Sequence, residues 1–402
     1  MTQTYADAAG LDAADPLRDL RARFLLDADL VAYVDGNSLG RLPIATADRL
    51  DAFFREEWGG RLIRGWEEAW VDLPVGVGDE LGATLLGAAA GQTVIADSTS
   101  VNLYKLLHAA TGVRPDRDEI VIDATNFPTD RYLVESVAAA KGLTVVWLEP
   151  DLVDNVTADV LAAALGERTA VVVLSHVDYR SGTLLDLPAL TARVHGAGAV
   201  VIWDLCHSAG VVPIALDADE VDFAVGCTYK YVNAGPGAPA FLYVAERHLA
   251  AATQPIAGWW SAADLFAMAD TYEPAPTIRR MLSGTPSVPG VVAVQEGVRL
   301  IAEAGVEAIR AKSETLTTYA LALLDAAGLE VVTPREVERR GSHVTVRHPD
   351  AREVTTRLVE RGVVPDFREP DLIRLGLSPL TTSYAEVAAA TRILVEVTAP
   401  IG

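Results

Sequence analysis

Between about residues 92 and 245 the apolar positions of this chain fall into short unbroken runs rather than strict alternation. Val94-Ile95-Ala96, Glu119-Ile120-Val121-Ile122, Thr144-Val145-Val146-Trp147-Leu148, Ala170-Val171-Val172-Val173-Leu174, Ala199-Val200-Val201-Ile202-Trp203, Val221 to Val225 and Ala240-Phe241-Leu242-Tyr243-Val244 read as strands, with amphipathic helical stretches between most of them. A strand with one wet face alternates, whereas a strand covered on both faces does not. The pattern therefore predicts an α/β fold with a mostly parallel, helix-wrapped sheet. From about Pro289 to Gly402, helical periodicity is followed by His343-Val344-Thr345-Val346 and Leu372-Ile373-Arg374-Leu375, expected strands of a smaller α+β domain. Turn formers crowd Gly284-Thr285-Pro286-Ser287-Val288-Pro289-Gly290, and 402 residues exceed what one hydrophobic core usually serves. The expected organisation is an N-terminal segment 1–48 packing with the small domain, a large domain 49–288 and a small domain 289–402.

Open α/β sheets bind ligands beyond the carboxyl ends of their strands, so the residues there are the first to read for chemistry. They are Asp97-Ser98-Thr99-Ser100, Asn126-Phe127-Pro128-Thr129-Asp130, Ser175-His176-Val177-Asp178-Tyr179-Arg180, Asp204-Leu205-Cys206-His207 and Thr228-Tyr229-Lys230. Lys230 stands out because the chain has four lysines against 29 arginines. An amine condenses with an aldehyde as a guanidinium does not readily do, and burial beside Tyr229 and Tyr231 disfavours the ammonium form. A neutral lysine is a nucleophile and a base; a strand-end lysine snorkelling to solvent is the alternative. Lys105, Lys141 and Lys312 read as solvated side chains or helix C-terminal charges.

Asp204 ends an apolar run at the rim of a low-dielectric interior, where its carboxylate needs a cation. A protonated pyridine nitrogen would serve, as in enzymes that use pyridoxal 5′-phosphate (PLP) as an electron sink; capping of a following helix is the other reading. His207, three residues on, is placed to reach a phosphate or to order Asp204. Asp97-Ser98-Thr99-Ser100 precede an expected helix Val101 to Ala110, where hydroxyls and free N–H groups make a phosphate cup or an ordinary cap. Phe127 is suited to stack on a planar ring with Asp130 at its polar edge, and Trp259 with Trp260 offers an aromatic wall with N–H donors. Arg374 interrupts an apolar run, so its buried guanidinium calls for an anion: either a ligand α-carboxylate or an internal Asp or Glu.

The net charge of −22 argues against nucleic acid and anionic membrane as partners. Cys206 and Cys227, the only cysteines, sit in or beside apolar runs and suit reduced thiols. The opening Met1 to Asp7 has neither a basic nor an apolar leader region, and no run approaches membrane-spanning length. A soluble, cytoplasmic small-molecule enzyme is expected.

The chain resembles the kynureninase family, PLP-dependent enzymes of the aspartate aminotransferase fold type. Tyr33-Val34-Asp35-Gly36-Asn37-Ser38-Leu39-Gly40, Asp97 to Leu103, Phe127-Pro128-Thr129-Asp130, Asp204 to Gly210, Thr228 to Gly237 and Gly258-Trp259-Trp260 carry the likeness in family order over most of the chain. The resemblance implies hydrolysis of L-kynurenine to anthranilate and L-alanine, in tryptophan catabolism and the kynurenine pathway toward NAD. It implies Lys230 as the Schiff-base lysine and proton carrier, Asp204 at the pyridine nitrogen, Phe127 on the ring and Asp130 at its oxygen-bearing side. Thr99, Ser100, Ser175, His207, Tyr229, Trp259 and Thr285 resemble the remaining cofactor contacts, Arg374 and Ser38 the substrate-binding residues, and Tyr229 the candidate to protonate Cβ. A homodimer with sites at the subunit interface is expected from the family. Leu62-Ile63-Arg64-Gly65-Trp66 lacks the histidine of animal enzymes that prefer 3-hydroxykynurenine, and Gly284-Thr285 replaces their Ser-Asn pair, so unsubstituted kynurenine is the expected substrate. A related PLP lyase or desulfurase would need a nucleophilic cysteine on a mobile loop, and a noncatalytic PLP-fold binding protein would lack Lys230 or Asp204.

Overall fold

The computed structural model describes residues 8–399; the leader reading of Met1 to Asp7 lies outside them. A two-residue strand β1 (Ala32–Tyr33) precedes the main sheet strands β2 (Thr93–Ala96), β3 (Glu119–Asp123), β4 (Thr144–Leu148), β5 (Thr169–Ser175), β6 (Val200–Asp204), β7 (Phe223–Gly226) and β8 (Ala240–Val244). Their spatial order is β2-β8-β7-β6-β5-β3-β4. β4, β3, β5, β6 and β7 run parallel, and β8 is inserted antiparallel between β7 and β2. All seven apolar runs are strands, with ends shifted by at most two residues.

The lack of alternation has the expected cause. Val121, Val172, Val201 and Trp203 pack to one face, in a core shared with Val291, Val294 and Val298 of the helix Val288–Ala304. Their chain neighbours Ile120, Ile122, Val171, Val173, Val200 and Ile202 pack to the other, against Leu103, Leu106 and Leu107 of the helix Thr99–Val113 and Val134 and Val137 of the helix Pro128–Lys141. Each strand thus presents apolar atoms to two dry layers.

A second sheet is built from β9 (Glu330–Val331), β10 (His343–Arg347), β12 (Asp366–Arg368) and β13 (Leu372–Gly376) in the antiparallel order β12-β13-β10-β9, while β11 (Val363–Val364) pairs in parallel with β1. The expected strands at His343 and Leu372 are present. β1, β9, β11 and β12 were not anticipated, because two or three residues are too few to show a period. Val344, Val346, Ile373 and Leu375 pack on Leu316, Leu324, Leu358 and Leu394 in a core of their own. The small sheet meets the main one at the loop after β5: Thr345 Oγ1 donates to the Arg180 carbonyl, and the Gly341 N–H to that of Gly182. Among the described residues no helix is long and apolar enough to cross a membrane.

Two lysine readings are corrected. Lys312 is buried and pairs with buried Asp15 at 2.6 Å, and Lys105 is wholly buried. Both helices present these positions inward, and each ammonium is accommodated by a carboxylate. Lys141 does end its helix, before Gly142 at φ +69°.

Candidate active site

Parallel register brings the ends of β5 and β6 side by side, with Ser175 opposite Asp204 and Asp204 opposite Val225. A cleft with about 540 Å³ of atom-free space opens above them. Thr99, Ser100, Phe127, Asp130, Ser175, Asp204, His207, Tyr229 and Lys230 all line it, together with Thr129, Val177, Tyr179 and Cys206.

The helix Thr99–Val113 starts at the cleft. Its cap is Ser98, whose hydroxyl accepts from the Val101 N–H, so Thr99 and Ser100 occupy the first turn, where N–H groups have no acceptor within the helix. The loop before it is held by Lys105, whose Nζ donates to Asp97 Oδ2 at 2.6 Å and to the Met281 carbonyl at 2.7 Å, with Asp97 at φ +41°. Lys105→Met should lower stability by about 1–3 kcal/mol, the usual loss when a charged hydrogen-bonded group is removed. It should also weaken phosphate binding at the cup. Urea unfolding and cofactor titration by absorbance check this; an unchanged midpoint and affinity would remove Lys105 from that role.

Asn126 orders the next strand end, accepting from the Phe127 N–H at 2.7 Å and Ser175 Oγ at 3.0 Å while donating to Asp123 Oδ2. Phe127 is one-third exposed toward the cleft and packs edge-on against Tyr179, ring centroids 5.4 Å apart. Asp204 Oδ1 accepts from the Cys206 N–H at 2.7 Å. Burial, and then the neighbouring Asp204 carboxylate, pushes the Asp130 carboxyl well above the usual range, and its Oδ2 is buried without a partner. Two adjoining carboxyls in a cleft form an acceptor for a positively charged N–H group.

Lys230 Nζ lies 2.9 Å from His207 Nε2. Burial, followed by the charge of Lys230, depresses the His207 imidazole, so its ring is neutral, and its Nδ1 is buried without a partner. Sequence reasoning aimed His207 at a phosphate or at Asp204; in the structure its Nε2 faces the lysine, while Asp204 Oδ1 is met by the Cys206 backbone. Burial raises the Tyr229 phenol, which stays a proton donor at neutral pH. The lysine loop itself is held by the N-terminal Gly-Asn-Ser-Leu-Gly motif. The Gly40 N–H donates to the Tyr229 carbonyl, and a Cβ at Gly40 would lie 2.3 Å from both the Lys230 carbonyl and Asn233 Oδ1. Gly40→Ala should therefore shift that loop, lowering stability by about 1–3 kcal/mol together with turnover; a urea midpoint and rate equal to wild type would show that the loop yields freely.

Arg374 is 1% exposed and outside the cleft wall proper. Its Nη1 donates to the Tyr179 carbonyl at 2.6 Å, and its Nη2 to Ser38 Oγ at 2.7 Å and Asp366 Oδ2 at 2.5 Å. The internal-acid alternative is thus realised in the chain by itself. Behind them lies Asp35, pushed up to about 6 by burial. Trp259 and Thr285 do not line the cleft that holds Lys230. Trp259 lines a surface cavity with Ala257, Phe266's neighbours Leu265 and Ala267, and Tyr272, and Thr285 lines another with Asp97 and Gly237. Sequence reasoning gave no role to Asn126, Tyr179, His343 or Asp366. His343, buried 5.6 Å from the His207 ring with both nitrogens unpartnered, had no signal but its place in a strand.

The sequence profile of the Kynureninase C-terminal domain matches residues 309–394. The chain is 43% identical over 405 residues to the kynureninase of Pseudomonas fluorescens, covering 98% of this chain and 95% of that one. It is equally similar, over 401 residues, to the kynureninase of Burkholderia pseudomallei strain K96243, with the same coverage. Among solved structures, apo cysteine desulfurase from Thermococcus onnurineus NA1 superposes with a TM-score of 0.83 at 18% identity, over 94% of this chain and 97% of that one. A mutant of C-DES with glycine covalently linked to its PLP cofactor superposes with a TM-score of 0.82 at 20% identity, over 93% and 98%. At such identity these two speak for the fold. The residues present fit PLP: a first-turn N–H cup for phosphate, a pair of adjoining carboxyls with an unpartnered Asp130 Oδ2 for a ring N–H, an aromatic face and an amine.

Proposed function

The chain belongs to the kynureninase family, and from that membership we propose how its cleft performs the PLP-dependent hydrolysis of L-kynurenine to anthranilate and L-alanine. Bound PLP supplies a conjugated, electron-withdrawing ring that accepts the electron pair released at the substrate's α-carbon. The chain's own groups do the rest. Thr99 and Ser100 hold the phosphate, Phe127 stacks on the ring, and Asp204 keeps its nitrogen protonated; Asp130, expected at the ring's oxygen-bearing side, adjoins the Asp204 carboxyl and supports it there. Ser175 and His207 complete the contacts from this chain. Lys230 Nζ would hold the cofactor; it takes the Cα proton, gives a proton back to Cα before release and finally frees the product. Water adds to the γ-carbonyl, the Cβ–Cγ bond breaks, Cγ leaves as the anthranilate carboxylate, and Cβ takes a proton from the Tyr229 phenol. Arg374 and Ser38 hold the substrate α-carboxylate.

The single observation that carries this reading is the meeting of Lys230, His207, Asp204, Asp130 and Phe127 in one cleft. Purified protein mixed with PLP and L-kynurenine should release fluorescent anthranilate. L-kynurenine should be turned over with higher kcat/KM than 3-hydroxykynurenine, a preference supported by the residues at 62–66 and 284–285. No anthranilate would sink the reading; a reversed preference would sink only the substrate choice.

The reading includes a homodimer in which Trp259 and Thr285 complete the cleft of the other copy, supported by their lining cavities other than the one that holds Lys230 in their own chain. It also divides the chain at residues 48 and 288, supported by the pairing of β1 with β11 and by the separate core of the small sheet.

A further inference from the structure

Arg374 and Asp366 are cross-strand partners on β13 and β12. A guanidinium meant to grip a ligand carboxylate cannot wait unpaired when it is 1% exposed, since an uncompensated buried charge is strongly unfavourable. The group that occupies it is itself a carboxylate. Asp366 Oδ2 takes Arg374 Nη2 at 2.5 Å, and Ser38 Oγ, the other residue assigned to the substrate, lies 3.5 Å from the same oxygen. Asn37 Oδ1 accepts from Arg374 Nε at 3.0 Å once its amide is set to satisfy its neighbours. With the Tyr179 carbonyl on Nη1, every nitrogen of Arg374 already has an acceptor. A substrate carboxylate that takes two N–H groups must therefore displace an acceptor, and Asp366 is the one with somewhere to go. The same Oδ2 is 2.7 Å from Nη2 of Arg368, two residues along β12 and about one-third exposed. Arg368 also lies 5.9 Å over the ring of Tyr179, the residue whose carbonyl holds Arg374 and whose edge meets Phe127. Arg374 and Arg368 thus share the Asp366 carboxylate directly, and the Asp35 carboxyl stands near both guanidiniums, so Asp366 can leave one arginine without losing a cationic partner.

We propose that Asp366 is an internal stand-in for the substrate's α-carboxylate: it occupies Arg374 in the empty enzyme, yields that guanidinium to the incoming amino acid and is kept by Arg368, thereby setting the site's affinity for carboxylates. The inference rests on the reading of Arg374 as the substrate-carboxylate residue. Self-occupancy lowers apparent affinity by the fraction of sites that are free.

The test uses the full-length holoenzyme with L-kynurenine and with its carboxamide, which offers no anion to Arg374. Asp366→Asn should lower KM for L-kynurenine by about 3- to 10-fold, with the change in KM rather than kcat, and should leave KM for the carboxamide unmoved. L-alanine binding, followed through the cofactor absorbance, should tighten by a similar factor. Arg368→Gln should do the opposite and raise KM for L-kynurenine about 3-fold, because Asp366 then has Arg374 alone; it decides the matter if the asparagine variant does not fold. An unchanged or higher KM in Asp366→Asn, or an unchanged or lower one in Arg368→Gln, overturns the proposal. Arg374→Ala separates the premise: if it leaves KM for L-kynurenine at the wild-type value, the carboxylate reading of Arg374 itself fails.

Discussion

Lys230→Ala is expected to lower kcat for L-kynurenine by more than about 10⁴-fold, since it removes both the covalent attachment and the general base. The loss should be chemical rather than structural. The side chain is only half-buried, and its close polar partner is the neutral His207 ring at 2.9 Å, so its truncation breaks no direct ion pair. Thermal unfolding should accordingly stay near wild type while anthranilate fluorescence disappears. Borohydride treatment of the wild type with PLP should fix the cofactor on the peptide containing Tyr229-Lys230-Tyr231, and the variant should carry no label. Turnover within tenfold of wild type, or label found on Lys105, Lys141 or Lys312, would be incompatible with the assignment.

Asp204→Ala should reduce kcat by about 10²- to 10⁴-fold, equivalent to the roughly 3–5 kcal/mol lost when one partner of a buried charge pair is removed. The carboxylate is 8% exposed, and its Oδ1 is fixed by the Cys206 N–H, so its position is set before any ligand arrives. Asp130 stands beside it with a carboxyl that burial already pushes up, which makes it a weaker stabiliser of a ring cation than Asp204. Asp130→Ala is therefore expected to be the milder change. Stopped-flow absorbance and steady-state rates on the two variants distinguish the roles; an Asp204→Ala enzyme keeping more than a tenth of wild-type kcat would transfer the electrostatic task elsewhere.

Most of the cleft was legible along the chain because a doubly covered parallel sheet imposes a simple rule. Its strands are apolar throughout, so the first polar residue after each run marks the rim where ligands bind. Asp204, Ser175 and the Asp97 to Ser100 turn were found this way, and so was Lys230, which lies beyond the last residue of β7. Gly40 was legible only as part of a motif. Its reason, the approach of its backbone to the Lys230 carbonyl, comes from a contact between residues far apart in sequence.

Burial of the isolated lysines went unread for the same cause. An amphipathic helix shows which face is apolar on average, and one inward lysine among apolar neighbours changes that average little. Lys105 and Lys312 are inward because Asp97 and Asp15 meet them there.

The sequence by itself determined the layers of this protein, the strand ends that form the cleft and the identity of its reactive amine, because these depend on local periodicity and on side-chain chemistry. Only the tertiary structure decided which group faces which. It turned His207 to Lys230, set Asp366 on Arg374, and put Trp259 and Thr285 in cavities other than the one that holds their own chain's lysine. Such pairings depend on distances of a few ångströms between elements that pack from opposite ends of the chain, and nothing in a local pattern specifies those distances.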